Sequence, residues 1–285
     1  MRHTAALAAA AIASPAIAQC DPTTLFPQAD VPILDTGRRS LSIDGDDLNG
    51  DGLIDLVTTN GFDNDVSVLL GNGNGTFQPQ TRFNTGTFPE GVVILDADND
   101  GQLDLATANA VGDNVTILRG NGDGTFQFAR SIPVGNGPNS ISAADLNADG
   151  ITDLITTNSQ SNDLSILLGN GDGSFQPASN LPLGGAPTDV AIHDLNDDGL
   201  LDLATANTSG DNITILTGNG DGTFTEVQTY AMEEESLEGI EVEDLNGDGA
   251  PDIAILARNS DSVAVLLNDG NGSFLDPEEF FLAGF

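Results

Sequence analysis

"DLNGDGLIDL" (residues 47–56) sets three carboxylates, an Asn and two glycines against a closing apolar pair. Nearly the same string returns as "DADNDGQLDL" from Asp96, "DLNADGITDL" from Asp145, "DLNDDGLLDL" from Asp194 and "DLNGDGAPDI" from Asp244. Their first residues lie 49, 49, 49 and 50 positions apart. A second string keeps the same step: "GNGNGTF" at Gly71, "GNGDGTF" at Gly120, "GNGDGSF" at Gly169, "GNGDGTF" at Gly218 and "NDGNGSF" at Asn268. Two motifs locked to one long period mark a repeat protein. No boundary between dissimilar domains interrupts them, so residues 19–285 read as one domain of five units.

The second unit shows the anatomy. "GVVILD" (91–96) is short, apolar and rich in β-branched residues, which makes a strand. The Asp loop follows, then strands at "LDLATAN" (103–109), "VTILRG" (115–120) and "TFQFARSIPV" (125–134). "AVGDN" and "NGDG" between them are turns, because Gly and Asn tolerate positive φ. Four antiparallel strands per unit, without helical periodicity, predict an all-β chain of β-propeller blades. Calcium β-rolls also use Gly and Asp, but their period is far shorter. Phe77, Phe126, Phe175, Phe224 and Phe274 recur in step and are expected between neighbouring blades.

Within each Asp loop, positions 1, 3, 5 and 9 carry oxygen side chains. They are Asp47, Asn49, Asp51 and Asp55; Asp96, Asp98, Asp100 and Asp104; and Asp145, Asn147, Asp149 and Asp153. The last two sets are Asp194, Asn196, Asp198 and Asp202, and Asp244, Asn246, Asp248 and Asp252. Ca²⁺ takes six to eight oxygens, and alternating acids in a tight loop can point theirs at one centre. Glycine at position 6 permits the sharp turn that brings the position-7 carbonyl round. Leu53, Gln102, Ile151, Leu200 and Ala250 would supply that carbonyl. An EF-hand loop starts alike but ends with Glu at position 12, where this chain has Thr58, Thr107, Thr156, Thr205 and Ile255. About five Ca²⁺ ions are therefore expected. An ion-free turn would leave three or four carboxylates repelling one another. Asp96, Asp98, Asp100 and Asp104 offer four carboxylates where the other loops offer three, so this site is expected to bind tightest.

A D-x-[DN]-x-D-G-x-x-D loop followed by G-[ND]-G-[ST]-F resembles the FG-GAP/VCBS repeats of integrin α-chain propellers and many secreted bacterial proteins. Gly185-Ala186-Pro187 spells half of that name, and "GTFP" (86–89) and "GNGP" (135–138) stand in its place elsewhere. The resemblance implies calcium between strands 1 and 2 of each blade, on the face opposite the usual ligand face. Integrin-type propellers have seven blades; five are counted in this chain. "FPQADVPILDTG" (26–37) and "FLDPEEFFLAGF" (274–285) both read as fourth strands, one more than a ring closed by strand exchange needs.

Composition narrows the partners. The chain has 44 acidic residues against 7 Arg and no Lys, a net charge of −37. Nucleic acid and anionic membranes need a cationic face, so neither is expected as a partner. Most of the acids lie outside the loops and fit a solvated acidic surface. "MRHTAALAAAAIASPAIAQC" has a basic end, an Ala-rich run and a small-residue triplet, which predicts a signal peptide over 1–18 and a secreted or cell-surface protein. Cys20 is the sole cysteine, and Gln19 is a poor residue to precede a lipidated one.

For catalysis the mature chain offers one His, His193, no Lys and one Tyr, Tyr230. The "GNGDG" strings lack the helix and basic residue of a phosphate cradle. The sequence therefore predicts no catalytic residues, and a non-catalytic binding or adhesion module for an extracellular protein or carbohydrate. A calcium-dependent polysaccharide lyase or hydrolase is the alternative, because some such enzymes are propellers with related repeats. Strand parity puts loops 2–3 and 4–1 of every blade on one face, where the sequence varies between repeats. Phe62, Phe88, Glu233, Glu234 and Glu235 are the candidate ligand contacts there.

Overall fold

Short alternating runs between Gly/Asn turns leave no length for a helix, and each unit pairs its runs antiparallel. A computed structural model describes residues 36–232 and 236–281. Blade 1 consists of β1 (Ile43–Asp46), β2 (Asp55–Asn60), β3 (Asp65–Leu69) and β4 (Thr81–Asn84). Blade 2 has β5 (Pro89–Leu95), β6 (Asp104–Asn109), β7 (Asn114–Gly120) and β8 (Phe126–Pro133). Blade 3 has β9 (Pro138–Ala144), β10 (Asp153–Asn158), β11 (Asp163–Leu167) and β12 (Ser179–Pro182). Blade 4 has β13 (Pro187–His193), β14 (Asp202–Asn207), β15 (Asn212–Gly218) and β16 (Phe224–Ala231). Blade 5 has β17 (Leu237–Glu243), β18 (Asp252–Ala257), β19 (Ser262–Leu266) and β20 (Glu278–Phe281). Every sheet is four-stranded with its strands in chain order, and the described residues contain no helix. β20 is the fourth strand expected after Phe274, while residues 26–35 of the other expected strand lie outside the described residues.

The loops sit where the register ends. Leu95 pairs with Asp104 at the mouth of the second Asp loop, and Gly120 pairs with Phe126 across the "GNGDG" hairpin. At the other end of the sheet, Asn109 pairs with Asn114. Buried Asn60, Asn109, Asn158 and Asn207 brace that end, each donating through Nδ2 to a side chain of the next strand.

Blades stack through their first strands, β1 on β5, β5 on β9, β9 on β13 and β13 on β17. Each junction holds an apolar cluster. Between blades 1 and 2, Leu48, Val57, Val66 and Val68 meet Val92, Leu105, Leu118 and Phe126. Phe126, Phe175, Phe224 and Phe274 lie in these seams as expected, whereas Phe77 of blade 1 joins none of the four clusters. Phe126 packs edge-on against Phe83 of the preceding blade, with ring centroids 5.4 Å apart. Phe274 packs likewise on Tyr230, whose hydroxyl accepts the Phe274 N–H at 2.9 Å.

Four clusters join four junctions, and among the described residues none joins blade 5 to blade 1. Position for position, Val92, Ile141, Val190 and Ile240 are 4–6% exposed, whereas Ile43 in blade 1 is 62% exposed. On the opposite blade face, Leu48, Ala97, Leu146 and Leu195 are 1–4% exposed, whereas Leu245 in blade 5 is 39% exposed. These two blade faces stay apolar although no described residue covers them as a neighbouring blade covers the others. No helix among the described residues is long and apolar enough to cross a membrane.

Candidate functional site

Each Asp loop connects the first two strands of a blade, and its position-6 glycine holds φ between 81° and 93°. That left-handed conformation suits glycine and turns the chain back on the carboxylates. In all five loops the position-1 carboxylate accepts the position-6 N–H: Asp47 from Gly52, Asp96 from Gly101, Asp145 from Gly150, Asp194 from Gly199, and Asp244 from Gly249. The position-7 residues, expected to face the centre with their carbonyls, donate their N–H groups to the position-5 carboxylate. Gln102 also uses its side chain, donating Nε2 to Asp100 Oδ2 at 3.0 Å.

The position-9 aspartates are buried, and their role is wider than the sequence reading gave them. Asp55, Asp104, Asp153, Asp202 and Asp252 each accept one N–H from the start of their own loop through Oδ2. Through Oδ1 each accepts a second N–H, from Gly71, Gly120, Gly169, Gly218 or Asn268 at the end of the third strand. They pin the loop to the "GNGDG" hairpin as well as facing the acids. Burial pushes Asp55, Asp153 and Asp202 up against the lowering effect of those N–H groups, and pushes Asp104 to about 6.

The five loops are not equal. In loops 1, 3, 4 and 5 the position-3 Asn accepts the position-5 N–H at 2.8–3.0 Å, and the position-1 Oδ1 accepts it too. In loop 2 the corresponding atoms, Asp96 Oδ1 and Asp98 Oδ1, are buried without a partner. Ligand oxygens of Asp96, Asp98 and Asp104 lie within 4.8 Å of one another. Such oxygens, buried and unsatisfied, are costly unless a cation joins them, and hard carboxylate oxygens suit Ca²⁺. The residues present in loop 2 therefore fit a calcium ion.

Loops 2–3 and 4–1 meet on the opposite face. Phe62 and Phe88 pack edge-on with centroids 5.7 Å apart, and the Arg39 guanidinium lies 5.3 and 4.9 Å from the two rings. Phe62 is exposed and Phe88 half-buried. The Arg38 N–H at 2.9 Å, and then the Arg82 and Arg38 guanidinium groups at 2.7 Å, hold the Asp63 carboxyl well below the usual range. Three of the seven arginines thus gather in blade 1 of an acidic protein. Glu233, Glu234 and Glu235 lie outside the described residues.

The sequence reading missed a groove along the first strands of blades 3–5, lined by Ser140, Ser142, Asp189, His193, Glu241 and Glu243 among others. Asp189 bridges three strands, accepting Ser140 Oγ of β9 at 2.8 Å and the Ile240 N–H of β17 at 3.2 Å. Its burial pushes its carboxyl up. His193 points its Nδ1 at its neighbour's carbonyl, Asp194 O, at 3.0 Å. The available signal was variation inside an otherwise regular repeat: Asp189 stands where the neighbouring blades have Ser140 and Gly239.

No curated protein matches the chain. Among solved structures it is similar to a functionally unknown protein from Desulfotomaculum acetoxidans, at TM-score 0.65 and 15% identity over 86% of this chain and 71% of that one. A putative 6-phosphogluconolactonase from Bacteroides fragilis gives TM-score 0.64 and 17% identity, over 85% and 70%. Virginiamycin B lyase from Staphylococcus aureus gives 0.57 and 17%, over 86% and 85%. At such identities the likeness is one of fold. The FG-GAP-like repeat model matches residues 47–107, 106–156, 145–205, 194–255 and 244–284, one span for each blade. With five consecutive matches across nearly all of the described chain, the protein belongs to the FG-GAP-like repeat family.

Proposed function

We propose that this protein is a secreted, calcium-stabilised propeller module that binds a ligand without transforming it. The observation that carries the reading is the division of labour between the faces. One face repeats the Asp loops and hairpins nearly unchanged, while the other varies and carries the Arg39–Phe62–Phe88 cluster. Varied loops on a constant scaffold are where binding concentrates. A ring with an exposed face and an adjacent guanidinium suits a sugar ring or an aromatic or acidic protein side chain. A calcium-dependent polysaccharide-active enzyme is the second reading; the lyase and the lactonase among the neighbours share the fold alone with this chain.

A glycan array and a pull-down, both with calcium-loaded protein, would identify the ligand class. Phe62→Ala with Phe88→Ala is expected to cut ligand binding at least tenfold and leave calcium affinity unchanged. Ligand binding that survives this change but vanishes when the "GNGDG" hairpins are altered would place the site on the other face.

A further inference from the structure

Blade 2 departs from the repeat at two positions that meet in space. Position 3 of its loop is Asp98, where the other blades have Asn49, Asn147, Asn196 and Asn246. Near the end of its third strand stands Arg119, where the others have Leu70, Leu168, Thr217 and Leu267. Arg119 Nη2 lies 2.7 Å from Asp98 Oδ2 and 2.9 Å from Asp100 Oδ2. The Asp98 side chain is only 9% exposed, and its Oδ1 has no partner.

The other loops show what this pair replaces. Asn147 and Asn246 donate Nδ2 to the position-5 carboxylate Oδ2, at 3.0 and 2.9 Å. An Asp at position 3 cannot donate and adds a fourth negative charge. Arg119 supplies both missing elements, a donor to Asp100 Oδ2 and a positive charge beside Asp98.

We propose that Arg119 is a tethered counter-ion for the blade-2 loop. It holds the four-carboxylate loop together in the absence of metal and keeps Asp98 turned with Oδ1 inward. Ranking this loop by its carboxylates alone leaves the guanidinium out: blade 2 carries one more acid than its neighbours and its own cation to offset it. The part that concerns calcium rests on the reading of the loops as calcium sites; the counter-ion role does not.

The test compares wild type, Arg119→Leu, Asp98→Asn and the double variant as full chains. Melting and hydrogen exchange at the Gly101 amide are followed in chelator and in about 10 mM calcium. Leucine already occupies this position in blades 1 and 3, so the single variant should fold. In chelator, Arg119→Leu is expected to melt several degrees lower and to exchange faster at Gly101. Calcium should close most of that gap, making the calcium-induced rise larger than in wild type. The double variant, with the Asn–Leu pair of blades 1 and 3, should recover in chelator. No recovery in the double variant, or an equal loss with and without calcium although calcium does raise the melting of wild type, would show that Arg119 merely packs and overturn the proposal. If calcium moves neither wild type nor Arg119→Leu, the calcium reading fails, while a chelator deficit rescued by Asp98→Asn still supports the counter-ion.

Discussion

A carboxylate at position 9 holds two backbone groups in a place that water does not reach. Asp153 is fully buried and accepts the N–H groups of Leu146 at 2.9 Å and Gly169 at 2.7 Å. Truncation would strand both donors, at about 1–3 kcal/mol each. Asp153→Ala is therefore expected to lower stability by about 2–6 kcal/mol in urea unfolding, with chelator as well as with calcium. Asp149 in the same loop is exposed and accepts the Ile151 N–H at 2.8 Å, so its loss should cost under about 1 kcal/mol in chelator. Asp149→Ala should instead remove the third loop's share of the calcium effect. Equal losses from the two variants in chelator would mean that position 9 is a ligand and nothing more.

The first strands form an element with its own electrostatics. β9, β13 and β17 lie side by side and are tied through Asp189, with Glu241 and Glu243 along the same groove. Glu241 is exposed along the groove, yet partial desolvation first, then the charges of Asp189 and Glu243, push it above its ordinary 4.5. The folded state thus holds this proton more tightly than the unfolded chain does. The favourable contribution is complete below the unfolded value and is lost as pH rises through the folded one. Glu241→Gln removes the charge, so it should melt about 1–3 °C above wild type at pH 7. That advantage should shrink toward pH 4. A parallel pair of melting curves across this range would show that the groove leaves Glu241 as free as a surface carboxylate.

At the scale of the whole molecule, the proposed calcium loops bear on whether the blades hold together. An ion that binds only the native state stabilises it by RT ln(1 + [L]/Kd) at each site. With Kd near 10⁻⁴–10⁻³ M, as in extracellular modules, about 10 mM calcium gives roughly 1.4–2.7 kcal/mol per site. Five filled sites would supply about 7–14 kcal/mol, comparable with the ~5–15 kcal/mol of a whole domain. A chelator is expected to lower the melting temperature sharply, and monovalent salt to restore it only in part through screening. A difference of no more than about two degrees between chelator and calcium would make the loops ordinary turns.

The sequence by itself determined the repeat, the four strands of each blade, the positive-φ glycines and the phenylalanines of the seams. The second unit's strand limits fall within two residues of those observed. These features depend on neighbours close along the chain or on a motif repeated in step, so a period exposes them. The sequence also set out the five loops, but not their inequality. Only the tertiary structure brings Arg119 of β7 onto Asp98, the Tyr230 hydroxyl onto the Phe274 amide, and Arg39 over Phe62 and Phe88. It alone shows that Ile43 and Leu245 keep apolar faces uncovered among the described residues. The reason is physical: such contacts arise where different strands and blades are packed together, and that packing joins residues the one-dimensional pattern keeps apart.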